Sequence, residues 1–167
     1  MNVRRMLSGL VTGALALVWA ATATASPSGI VISQVYGGGG NGSATYTHDY
    51  VELFNAGATT VPLEGWSIQY TSAAGTGNFG SATNLITPLS GAIGPGQYVL
   101  VQESSNAAVG APLPEPYITD ATPISMAAGA GKVALVNTTT PLGCNGGSIV
   151  CTPAALAITD ATRTRPA

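Results

Sequence analysis

The sequence predicts an all-β protein, its short strands arranged as an antiparallel sandwich or barrel. Three observations lead there. Apolar runs are brief and rich in Val, Ile and Tyr, and they are separated by Gly, Pro, Asn and Thr. No stretch beyond residue 25 sustains a helical period, and Met126, Ala127 and Ala128 lie too close to glycines to be phased into a helix. Charge is scarce, at 7% of 167 residues against roughly 25% in an average soluble protein. The length suits one domain. The composition shows no basic patch for nucleic acid and no charge run that would mark disorder.

The first residues read as a targeting segment. Arg4 and Arg5 precede an uncharged apolar stretch from Met6 to Ala21, and Ala23-Thr24-Ala25 fits the small-residue cleavage pattern. The stretch is short of the ~20 apolar residues that span a bilayer, and no basic stop-transfer cluster follows it. The expectation is a signal peptide over 1–25, cleaved near Ala25, a secreted chain, and no membrane insertion once it is cleaved. Cleavage leaves Lys132, Arg163 and Arg165 against all seven acids, a net charge of −4. Phosphate binding depends on Lys and Arg, so no direct nucleic-acid binding is expected. Export favours a disulfide between Cys144 and Cys151. As a metal site the pair would need two further ligands, which one His does not supply.

The strands follow in order. Ile30–Tyr36 (IVISQVY) runs into Gly37–Gly40; Asp49–Phe54 (DYVELF) is closed by Asn55-Ala56-Gly57. In Trp66–Tyr70 (WSIQY), Trp66, Ile68 and Tyr70 alternate with Ser67 and Gln69, the period of a half-buried strand. The Gly94-Pro95-Gly96 turn launches Gln97–Val101 (QYVLV), and Lys132–Asn137 (KVALVN) is a further strand. Loops are expected over 71–84 and over 104–123, the second carrying Pro112, Pro114, Pro116 and Pro123. Several strands are apolar on both faces, Tyr50–Phe54 among them, so they are expected to be central or partly covered by loops.

The pair DYVELFN at Asp49–Asn55 and LEGWSIQY at Leu63–Tyr70 resembles the lamin tail domain, with Leu63, Gly65 and Trp66 matching in order. ISQVYGGGG at Ile32–Gly40, GPGQYVLVQE at Gly94–Glu103 and GKVALVN at Gly131–Asn137 look like bacterial secreted members of that family. In those the domain often precedes an endonuclease/exonuclease/phosphatase-type nuclease domain. The resemblance implies an immunoglobulin-like antiparallel β-sandwich over 26–157, with Trp66 at its centre and Gly65, Asn55 and Gly57 as turn residues. It further implies a non-catalytic accessory module of an extracellular nuclease, acting by binding or surface presentation on an extracellular or cell-surface ligand. Secreted relatives continue with one more apolar strand. Here residues 158–167 read instead as an irregular tail, as after a frame change or early stop, so the sandwich is expected to lack its last strand and keep an open edge.

Few residues invite chemistry. Gly37–Gly42 lacks the Lys-Ser/Thr and the helix of a phosphate loop and reads as a flexible hairpin loop. His48 and Asp49 are adjacent in a strand and face opposite sides, which argues against a catalytic triad. Asp49 and Glu52, three apart, do not converge either. Asp120 and Glu115 lie in a Pro-rich loop that leaves a loose calcium site open. Tyr46, Phe79 and Tyr117 could stack on a sugar or a base, the first being the basis of an alternative as a small carbohydrate-binding sandwich, although packing back on the sheet is favoured for them. The rival enzymatic reading, nuclease activity inherited from full-length relatives, fails on the missing carboxylate and histidine set. No catalytic residue, cofactor or metal ligand is assigned.

Overall fold

The computed structural model describes residues 28–74, 77–151 and the strand 158–164. The signal peptide expected over 1–25 lies outside the described residues. Two four-stranded sheets pack face to face. The first has the order β1 (Ile30–Tyr36), β2 (Tyr50–Asn55), β7 (Tyr98–Gln102), β8 (Ile118–Thr119). The second has the order β10 (Ile158–Thr164), β9 (Gly131–Val136), β4 (Ser67–Ser72), β5 (Ile86–Pro88). A ribbon of β3 (Val61–Pro62) and β6 (Ala92–Ile93) completes the described strands. Among these strands every pairing is antiparallel except β7 with β8, and an isolated parallel bridge joins Tyr46 and Ala111. The described residues contain no α-helix, and Thr83–Leu85 forms one 3-10 turn.

The inner faces make the core. Val51 and Leu53 of β2 and Val99 and Val101 of β7 meet Ile68 and Tyr70 of β4 and Val133 and Leu135 of β9, all buried. Each fully buried Val, Leu or Ile contributes about 1.5–3 kcal/mol relative to exposure. Trp66 departs from its expected place. It precedes β4, is only partly buried, and packs against the core from its margin. The reason is the turn before it: Trp66 N–H donates to Leu63 carbonyl at 2.9 Å, with Gly65 at φ +82°. Leu63, fully buried, takes the deep position instead.

The C-terminal expectation is corrected. Ile158–Thr164 is a strand, paired antiparallel to β9 from Ile158↔Val136 to Thr164↔Gly131, with an irregularity between Ile158 and Asp160. It occupies the edge of the second sheet that was expected to stand open, and it lies against β1 of the first. Apolar alternation is the wrong criterion here. β-Branched Ile and Thr favour extended backbone, and β9 would otherwise present a row of unpaired N–H and C=O groups.

The Gly37–Gly40 loop is packed rather than open. Gly39 and Gly40 are buried, and a Cβ on Gly39 would stand 2.2 Å from the Asp49 nitrogen. Only glycine lets the loop approach that backbone.

Candidate functional site

The outer faces of the two sheets differ. On the second sheet, Ser67, Gln69 and Thr71 of β4 and Lys132, Ala134 and Val136 of β9 point outward, and all are buried. The expectation of a half-buried β4 fails because the chain after β9 returns across it. Ser67 Oγ donates to Thr138 carbonyl at 2.6 Å, Gln69 Nε2 to Thr140 carbonyl at 2.9 Å, and Lys132 Nζ to Asn145 carbonyl at 2.8 Å. Leu142 N–H donates back to Gln69 Oε1 at 3.1 Å. Phe79, Ala134, Val136, Leu142 and Cys144 form a second, smaller apolar cluster beneath this cover, with Cys151 packed against it. Cys144 and Cys151 are joined by a disulfide, their Cα atoms 5.0 Å apart. Inside the ring Asn145 Oδ1 accepts from the N–H groups of Gly147 and Ile149. Every polar group named here is spent on structure.

At one end of the sandwich two buried carboxylates lie opposite each other. Glu103 N–H donates to Asp49 carbonyl at 2.8 Å, and Asp49 N–H to Ser104 carbonyl at 2.7 Å. The Asp49 carboxylate accepts from Gly39 N–H at 2.7 Å and Met126 N–H at 2.9 Å. Glu103 Oε2 accepts from Ile124 N–H at 2.7 Å and from the Thr87 hydroxyl of the opposite sheet at 2.8 Å. Burial pushes Glu103 up to about 8 against these lowering hydrogen bonds, and pushes Asp49 up to about 6. Glu103 is 1% exposed and its Oε1 has no hydrogen-bond partner among the described residues. Closed off from substrate, the pair clamps the Gly37–Gly40 loop, the segment before β9 and β5 onto the sandwich. Asp49 and Glu52 do not converge, as their spacing predicted: the structure places Glu52 on the opposite, outer face, where its carboxylate accepts from Ser33 Oγ. The missed partner, Glu103, was visible as an acid directly after an apolar strand.

The outer face of the first sheet is open and aromatic. Register puts Tyr36, Tyr50 and Gln102 in one row, Gln34, Glu52 and Leu100 in the next, and Val31, Phe54 and Tyr98 in the third. Tyr36 and Tyr50 stack at 5.5 Å, and Tyr46 meets both edge-on at 5.9 and 5.8 Å. Tyr50 Oη donates to Gln34 Oε1 at 2.8 Å. Burial, then the neighbouring Tyr46, Glu52 and Tyr36, holds the Tyr50 hydroxyl above its ordinary range. Phe54 and Tyr98 stack at 4.4 Å. Tyr98 is nevertheless 59% exposed and Tyr117 52% exposed. Between them runs a groove of about 760 Å³, floored by Glu52, Val99 and Leu100 and walled by Pro114, Glu115 and Pro116. The Tyr117 hydroxyl is tied to β6 by Ala92 N–H at 3.3 Å, and Tyr117 N–H donates to Leu100 carbonyl at 2.9 Å.

Of the aromatic residues singled out from sequence, Phe79 is in the second cluster and Tyr46 packs on its neighbours; Tyr117 lines the groove. Tyr98 was read as a strand residue alone. Its signal was an aromatic at the positions alternating with Val99 and Val101. His48 is half-buried, and its neighbour Asp49 is committed to backbone N–H groups. Glu115 belongs to the groove, whereas Asp120 accepts from Thr122 Oγ1 at 3.5 Å. Among the described residues no three His, Cys, Asp or Glu side chains gather as a metal site would require.

An aromatic outer face with a groove, on a sandwich whose buried polar groups serve the fold, defines a domain for binding or structural support. The chain matches the Lamin Tail Domain family over residues 23–149, and it belongs to that family of non-catalytic immunoglobulin-like domains. No curated protein matches it.

Proposed function

We propose that this chain is an exported, non-catalytic lamin tail module that binds an extracellular or cell-surface partner through the outer face of its first sheet, as the accessory domain of an extracellular nuclease. What carries the binding part is the contrast in cover: Tyr98 and Tyr117 stand more than half exposed beside a groove, while the opposite outer face is closed. Large aromatic area held in place at little entropic cost is what recognition surfaces use. Export rests on the Arg4-Arg5 segment and the apolar run to Ala21, and the Cys144–Cys151 bond is compatible with it. The nuclease association rests on the ISQVYGGGG, GPGQYVLVQE and GKVALVN segments.

Expressing the full chain in a bacterial host and analysing the culture medium tests this reading. The expected product is a secreted chain beginning near Ser26 that leaves DNA intact in the presence of magnesium. Retention in the cell with residues 1–25 attached would overturn export. Cleavage of DNA by the purified product would overturn the non-catalytic assignment.

A further inference from the structure

Resting on the outer face as the binding face, the groove also specifies its occupant. We propose that the channel between Tyr98 and Tyr117 takes an arginine or lysine side chain of an extended basic polypeptide segment. The lining side chains are two carboxylates, two phenols and otherwise Leu100 and the prolines, while Val99 turns its side chain into the core. Pro114 and Pro116 have no N–H to offer. Tyr117 N–H is spent on Leu100 carbonyl, and the Tyr117 hydroxyl is tied to Ala92. The groove therefore presents mainly acceptors, with the exposed Tyr98 hydroxyl as its side-chain donor.

Ammonium and guanidinium groups are the complement, because they donate only. Sugar hydroxyls also donate to carboxylates, but they bring no positive charge to complement Glu52 and Glu115. The exposed phenol rings add to this choice. A cation over a tyrosine face is attracted by the ring quadrupole, and Phe54 holds Tyr98 in place by stacking. Charge acts in the same direction. Glu52 and Glu115 flank the groove, and the whole chain carries seven acids against five bases. Lys132 does not compete, because it is buried under the cover of the other sheet with its Nζ on Asn145 carbonyl. A polypeptide suits the site because it is an open channel rather than a closed pocket, and a flat sheet with a proline wall leaves room for extended backbone on either side of the anchoring side chain.

The test is fluorescence anisotropy of labelled hexa-arginine and hexa-lysine peptides titrated with the purified chain. Hexa-glutamine and a labelled chitin hexasaccharide are run beside them. The basic peptides are expected to bind and the other two to fail. Tyr98→Ala should weaken binding by roughly fivefold and Glu115→Gln by roughly threefold. Asp120→Asn removes the same unit of charge away from the groove and should leave binding within error. Equal weakening by Asp120→Asn and Glu115→Gln would mean diffuse attraction to an acidic protein and would overturn the proposal. Binding of the sugar with loss on Tyr98→Ala, and none of the peptides, would overturn it while leaving the outer face as the binding face. That wider reading fails separately, if Tyr98→Ala and wild-type chains are retained equally on the host cell surface.

Discussion

The two sheets carry similar strands and end with opposite outer surfaces. In β2 and β7, Tyr50, Glu52, Phe54, Tyr98 and Leu100 alternate with core residues and remain at least partly exposed. In β4, Ser67, Gln69 and Thr71 alternate with core residues in the same way and are buried. Composition alone would assign these faces the other way round, aromatic inward and polar outward. The difference comes from the segment after β9, which supplies Thr138, Thr140, Leu142 and Asn145 as hydrogen-bond partners for β4 and β9. A polar face is buried without penalty once each group finds a partner. The aromatic face has no such cover among the described residues.

Substitutions should separate the two faces by their cost. The largest loss is expected from Gln69→Ala on the covered face. It strands Thr140 carbonyl and Leu142 N–H and leaves a void, for about 3 kcal/mol in urea unfolding. A cost below about 1 kcal/mol would mean that the cover is not bound tightly. Reducing the Cys144–Cys151 bond, or replacing both residues by Ser, is expected to cost about 2 kcal/mol by freeing the unfolded chain. The same change should speed amide exchange of residues 138–150 ahead of the core, and uniform exchange would contradict it.

The clamp at the sandwich end gives a dependence on pH. Unfolded Glu103 loses its proton near its ordinary value of 4.5, whereas the folded group holds it to about 8. Between those limits the folded chain binds one more proton, so stability falls as pH rises and levels off above about 8. Asp49 adds a fall of the same sign from 3.8 to about 6. Glu103→Gln should flatten thermal stability between pH 6 and 8 and raise it at pH 8 relative to wild type. An unchanged slope would remove Glu103 as its source. The smallest effect is expected on the open face, where Tyr98→Ala should cost about 1 kcal/mol through its lost stacking on Phe54.

Much of the architecture was legible from residues 30–136. Five strands were read within a residue or two of their observed ends, because each carries a period of two or an unbroken apolar run bounded by Gly, Pro or Asn. β3, β5, β6 and β8 were not, because two or three residues hold no period to read. β10 was missed because its pairing depends on the free edge of β9, a tertiary fact with no apolar signature in ITDATRT. Trp66 was placed too deep because a large apolar residue beside glycine says nothing about which of Leu63 and Trp66 the turn turns inward. At the site, Tyr117 was seen as a loop aromatic, but its neighbours Tyr98 and Glu52 arrive from two separate strands, β7 and β2. Sequence separation hides such a meeting. The cover over β4 was hidden in the same way, 71 positions away from Ser67 and Gln69.

The central claim is that one outer face is free for a partner and the other is not. The most direct measurement is a titration of the isotopically labelled chain with hexa-arginine peptide, followed through backbone amide shifts. The predicted result is saturable movement at Glu52, Tyr98, Leu100, Glu115 and Tyr117, with Ser67, Gln69, Thr71 and Lys132 unmoved. Movement centred on β4 and its cover, with none at Tyr98 or Tyr117, would contradict the account.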